Sequence, residues 1–303
     1  MAEPSATLTS REARRGLAAA LGAFASWGVL PLLLRALHTV EPLEIMAHRV
    51  VWSCFFVLLW LSLRGELGQL LPPLKAPAVR KRLMLSALLV SLNWLAFVWA
   101  VHTGRVVEAS LGYFINPLVN VLLGVLVLSE RLAPRQWAAV GCAALGVAWL
   151  TVQAGGLPWL ALFLALTFAT YGLIRKTASV EAVVGLATET LLLLPIALGY
   201  LAYHALHGTS SFGTSTAITA LLGFAGIATA VPLALFAYGA RRIPYSTLGV
   251  VQYLGPSLQL CIGVYLFGEP FSRARMVGFA FIWLALALYV GDALLRARVS
   301  ARA

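Results

Sequence analysis

Long apolar runs alternate with short polar connections along the whole chain. A helix needs about 20 apolar residues to cross a bilayer. That ruler predicts spans at 16–36, 44–63, 83–102, 106–129, 136–153, 157–174, 180–203, 216–239, 245–267 and 276–294. The predicted fold class is therefore all-α integral membrane, with ten transmembrane helices. The most polar stretches, Arg64 to Arg82 and His204 to Ser215, are loop-sized and leave no room for a water-soluble domain. Arg11, Arg14 and Arg15 before an apolar run resemble the start of a signal peptide. That run continues to Leu34, long enough to span, and is read as an uncleaved first helix.

The pattern is told twice. Phe24-Ala25-Ser26-Trp27-Gly28 returns as Phe168-Ala169-Thr170-Tyr171-Gly172, and Pro117, Gly124 and Glu130 return at equal spacing as Pro256, Gly263 and Glu269. Self-similarity at about half the chain length points to two homologous halves, 1–153 and 154–303. Five spans per half is an odd number, so the second half enters the membrane from the opposite side. Many secondary transporters are built as such inverted repeats, with the substrate site between them.

Composition agrees: 61% of the 303 residues are hydrophobic and 11% charged, against about 25% charged in soluble domains. The formal charge of +11 does not mark a nucleic-acid binder, because the basic residues lie in connections between spans. Seventeen Lys and Arg fall on the face holding the N-terminus, four fall on the other, and Arg49 lies within a span. The positive-inside rule then puts both termini in the cytoplasm. Cys54, Cys142 and Cys261 fall inside apolar runs without metal-like spacing and are read as packing residues.

Charges within a span are costly and usually face a cavity or a partner. Arg49, beside His48, lies one to two turns into the second span, and Glu189 lies in the seventh, its counterpart. Both are expected to line one central pathway. The structural alternative has Arg49 snorkel outward or pair with Glu44 or Glu108. Pro117 and Pro256 fall mid-span and are expected to let spans four and nine bend. Trp27, Asn93, Trp94, Tyr113, Asn116, Gln252 and Tyr253 converge on the same depth, although a lone mid-membrane Asn is often only glue between helices. Glu130 and Glu269 are read as caps or ion pairs, with Arg131 or Arg135 and with Arg273. Gly16, Gly124, Gly141, Gly146 and Gly263 are read as close-packing sites.

The sequence contains no phosphate-binding loop, paired metal-ligand motif or nucleophile elbow. An enzyme is not expected, and neither is a cofactor. The segments Ala47-His48-Arg49-Val50-Val51-Trp52-Ser53, Asn93-Trp94, Leu111-Gly112-Tyr113-Phe114-Ile115-Asn116-Pro117-Leu118 and Gln252-Tyr253-Leu254-Gly255-Pro256 resemble the RarD branch of the EamA family, in the drug/metabolite transporter superfamily. The likeness runs from about Gly16 to Leu295. Span four ends in Ser129-Glu130, where span nine keeps Gly268-Glu269.

The resemblance implies a bacterial inner-membrane carrier of the kind named for chloramphenicol sensitivity, with a cavity between inverted five-helix halves. The expected function is export of a small polar or amphipathic metabolite by alternating access. Arg49 would bind an anionic group, with Asn93, Asn116 and Gln252 donating or accepting hydrogen bonds. Trp27, Trp94, Tyr113 and Tyr253 would form the walls, and Glu189 with His48 would be candidate proton carriers. The expected partners are the solute, the lipid bilayer and a second copy of the chain, with no nucleic acid. A membrane sensor or assembly partner that transports nothing is the alternative.

Overall fold

The computed structural model describes residues 10–102, 106–153, 159–266 and 273–300, and among them there is no strand. In chain order the helices are α1 (Ser10–Ala36), α2 (Pro42–Leu63), the short α3 (Leu71–Lys75) after a 3-10 turn at Leu67–Leu70, α4 (Pro77–His102), α5 (Val106–Leu126) and α6 (Pro134–Gln153). The rest are α7 (Trp159–Thr177), α8 (Ala182–Leu206), α9 (Thr216–Ala240), α10 (Tyr245–Val251), α11 (Leu254–Cys261), a π turn at Ile262–Leu266 and α12 (Arg273–Ser300). Among the described residues each predicted span overlaps helix, although the ninth is divided among α10, α11 and the π turn. Among the described residues, six stretches are long and apolar enough to cross a membrane by length and composition, 11–36, 42–63, 159–177, 182–206, 216–240 and 245–266.

Local chemistry places several ends. Pro42, Pro77 and Pro134 each open a helix, where the missing N–H costs nothing. Ser215 caps α9, its hydroxyl accepting from the Ile218 amide at 3.1 Å. The predicted bends at the two prolines are unequal. α5 runs unbroken through Pro117, whereas the ninth span breaks at Gln252-Tyr253, one turn before Pro256. A helical proline clashes with the carbonyl four residues earlier, which here belongs to Gln252. Gln252 and Tyr253 take turn geometry, and the Gln252 carbonyl accepts from the Gly255 amide at 3.1 Å.

Helices from the two parts of the chain interleave. α1 packs on α9 and α11, α2 on α8 and α9, α4 on α7 and α8, α5 on α7 and α10, and α6 on α12. Small residues set the closest approaches. A Cβ at Gly226 of α9 would stand 2.6 Å from the Trp52 carbonyl carbon of α2, and one at Gly239 would stand 2.9 Å from the Gly16 oxygen of α1. Gly146 of α6 approaches the Gly278 carbonyl of α12 in the same way, at 2.8 Å. Gly141 differs from the expectation: nothing lies within 4 Å of a Cβ there, and the residue is exposed.

The two repeated aromatic motifs meet at the centre. Phe24 and Trp27 of α1 and Phe168 and Tyr171 of α7 all pack on Phe236 of α9, with ring centroids 5.4 to 6.0 Å away. The cluster ties α1 and α7 to α9, one of the helices that border the cavity described below.

Candidate functional site

A cavity of about 70 Å³ opens between α2, α4, α8 and α9, room for several water molecules. Arg49, Ser53, Ser91, Trp94, Glu189, Thr190 and Thr229 supply its polar and aromatic wall. Met46, Val50, Val90, Leu186, Leu193 and Leu233 supply the apolar part. Arg49 and Glu189 thus line one space, on different helices.

Arg49 is 5% exposed. Its Nε donates to Thr229 Oγ1 at 2.6 Å, and its guanidinium carbon stands over the Trp94 ring, 3.3 Å from the centroid. Its Nη2 is buried and has no hydrogen-bond partner. Among the described residues no carboxylate pairs with it. Glu44 is engaged elsewhere, accepting from Ser210 Oγ at 2.9 Å and the Ser211 amide at 2.7 Å. The side chain of Glu108, the other predicted partner, lies outside the described residues, as do Arg105 and the whole of Glu269. A buried charge left without a partner costs about 3–5 kcal/mol. A cation–π contact returns only about 0.5–2 kcal/mol, so the arrangement leaves Arg49 short of an anion.

Glu189 is compensated from within the protein. Its Oε1 accepts from Ser86 Oγ of α4 at 2.6 Å and stands 3.5 Å from Arg175 Nη1. Arg175 is 1% exposed, and its Nη2 donates to the Ala182 carbonyl at 2.7 Å. Arg175 is one of the seventeen basic residues counted on the face holding the N-terminus, and nothing in that count announces its burial. Only four residues separate α7 from α8, and the tight return folds Arg175 under the start of α8. Gly185 is the one sequence signal for this, because a Cβ there would overlap the guanidinium. Dibasic Arg175-Lys176 at the end of an apolar run otherwise looks like any positive loop.

Trp94 lines the cavity as expected, but most other predicted members hold helices together. Asn93 Nδ2 donates to the Leu164 carbonyl at 2.8 Å and to Thr167 Oγ1 at 2.9 Å, joining α4 to α7. Asn116 Nδ2 donates to the Ala165 carbonyl at 2.8 Å, joining α5 to α7. Gln252 Oε1 accepts from Asn120 at 2.8 Å, and the Tyr253 hydroxyl donates to the Phe114 carbonyl at 3.3 Å. Trp27 is absorbed in the aromatic cluster. Tyr113 packs edge-on against Phe97, centroids 5.8 Å apart. His48 stacks on Phe212 at 4.9 Å, 4.0 Å from Glu44, and neither ring nitrogen has a hydrogen bond. The polar residues missed in the sequence are Ser53, Ser91, Thr190 and Thr229, hydroxyls too common in membrane helices to stand out.

Glu130 is a cap, as expected, but for a different helix. Its Oε1 accepts from the Tyr245 amide at 2.5 Å, and its Oε2 accepts from the Ser246 amide at 3.0 Å and hydroxyl at 2.7 Å. It therefore closes the N-terminus of α10 instead of pairing with Arg131 or Arg135.

Comparison with known proteins fits this architecture. A model of the EamA-like transporter family matches residues 14–152. An uncharacterized transporter of Pseudomonas aeruginosa is 47% identical over 281 residues, 92% of this chain and 94% of its own length. A protein named RarD in Salmonella typhi is 45% identical over 288 residues, 95% of this chain and 98% of its own. One solved crystal structure shares the fold at a TM-score of 0.69 and 21% identity, covering 90% of this chain and 96% of that one. The chain belongs to the EamA-like transporter family, within its RarD group, and is a multi-pass membrane protein.

Proposed function

We propose that the protein is a secondary carrier of the bacterial inner membrane, both termini cytoplasmic, that exports a small polar or amphipathic metabolite by alternating access. Its unit is two inverted five-helix repeats, 1–153 and 154–303, with the α2–α4–α8–α9 cavity as the solute site. The observation carrying this reading is the meeting of Arg49 and Glu189 on one cavity. Each is the eighth residue of its helix, α2 and α8, which are counterparts in the repeat. The helix pairings support it as well. Exchanging the halves turns the α1–α9 contact into α7–α4, and α5–α7 into α11–α1, and all four contacts occur. Transporters of inverted-repeat design bind at such an interface.

The test is efflux of a pooled labelled metabolite mixture from proteoliposomes, wild type against Arg49→Ala. Selective release that Arg49→Ala reduces at least tenfold is expected. Normal release by Arg49→Ala would remove the cavity from the pathway.

A second reading, a membrane sensor or assembly partner, draws on Asn93, Asn116 and the Asn120–Gln252 pair, which find their partners within the protein. Cysteine substitution at Ser91 and Thr190, with Cys54, Cys142 and Cys261 replaced, separates the two. Labelling by an impermeant thiol reagent favours the carrier.

A further inference from the structure

We infer that the solute taken by this cavity is a small organic monoanion bound by Arg49, and that Glu189 plays no part in recognising it because Arg175 holds its charge. The inference rests on the cavity being the solute site. Among the described residues, Arg49 and Glu189 are the only ionisable side chains lining it. The two are treated differently by their surroundings.

Glu189 meets Arg175 and the Ser86 hydroxyl on the same oxygen, at 3.5 and 2.6 Å. Arg175 in turn is built in: 1% exposed, bonded to the Ala182 carbonyl, and seated against Gly185, where any side chain would displace it. Those two charges cancel. Among the described residues Arg49 has Thr229 on Nε, the Trp94 face beneath it and the Tyr113 side chain nearby, and its Nη2 is buried with no acceptor. Among the described residues, the wall is left with one uncancelled positive charge and a fixed donor edge.

That inventory selects by sign. A cation would add to the uncancelled charge, and the ammonium of a zwitterion would need a carboxylate that Arg175 already occupies. The guanidinium fork suits a planar carboxylate, two parallel N–H donors meeting two oxygens. The Met, Val and Leu side chains of the remaining wall favour an organic body over a small hydrated ion. Burial makes the selection strong, because an unpaired charge away from water is costly.

Purified full-length protein in detergent tests this by its thermal unfolding midpoint at fixed ionic strength. The probes are two isosteric series: propionate, propionamide, propylamine and alanine, then benzoate, benzamide, benzylamine and phenylalanine. The carboxylates are expected to raise the midpoint with at least tenfold higher apparent affinity than their amides, and the amines to have no effect. The carboxylate effect disappears in Arg49→Gln and weakens at least tenfold in Arg49→Lys, which keeps the charge and loses the fork. It persists in the Arg175→Gln/Glu189→Gln double variant and in Glu108→Gln. Preference for an amine or zwitterion, loss of carboxylate binding in the double variant, or binding seen only in Glu108→Gln would overturn the assignment. So would the absence of any shift across both series. Carboxylate binding without flux in proteoliposomes would instead sink the carrier reading and leave the anion site standing.

Discussion

At Ser129 the backbone takes φ of 55°, a left-handed turn that a residue with a Cβ adopts at a cost of about 1 kcal/mol. The turn lets the Glu130 amide reach back to the Gly124 carbonyl at 2.9 Å and aims the Glu130 carboxylate at α10. The sequence already marks the position, because span nine carries Gly268 where span four carries Ser129. What looks like a lapse of symmetry is a strained residue. Ser129→Gly is expected to stabilise the protein by about 0.5–1 kcal/mol, read as a raised unfolding midpoint in detergent. No change would mean that the serine side chain offsets its own strain. Residue types were legible here, but partners were not. Asn93 and Trp94 are neighbours in sequence, and a helix turns about 100° between them. One faces α7 and the other the cavity. Hydropathy alone cannot choose between those faces in an all-apolar helix.

Helix positions were largely legible, because a bilayer favours long apolar helices, although α1 begins at Ser10 and α12 runs to Ser300, each beyond its predicted span. The other exceptions are where side chains override length. α4 begins at Pro77, ahead of the apolar run, carrying Arg80, Lys81 and Arg82 on its first turns. α10 is cut short at Val251, while α5 absorbs Pro117 intact. The start of α10 depends on one carboxylate from another helix's end, three hydrogen bonds in all. Removing it leaves two helix-start amides without acceptors and loses the favourable charge at the positive end of the helix. Glu130→Ala is therefore expected to destabilise by about 1–2 kcal/mol, with faster amide exchange at Tyr245 and Ser246. Unchanged exchange there would show that water replaces the carboxylate without loss.

On the scale of the whole molecule, helices from 1–153 and 154–303 pack into one another. α1 and α2 find their closest neighbours in α9, and α4 and α5 in α7. The glycine contacts at Gly16–Gly239 and Gly226–Trp52 join backbone to backbone between 1–153 and 154–303. Fragments 1–153 and 154–303 are expected to be degraded when produced singly and to reconstitute a folded, carboxylate-responsive complex when produced together. Stable accumulation of either fragment alone would contradict that dependence. Sequence repetition suggests two halves but says nothing of how their helices interleave. Repeats report ancestry, whereas packing is decided by which faces are smooth enough to touch.

The α1–α9 contact also sets a timetable for synthesis. The α1 surface around Gly16 and Ala20, which ends up against Gly239, emerges from the ribosome some two hundred residues before its partner exists. Through that interval the early helices must wait in lipid, or against a host insertion factor, with a groove cut for a neighbour still unmade. The vulnerable species in the life of this protein is the nascent chain, and quality control would meet it before the final helix is in place.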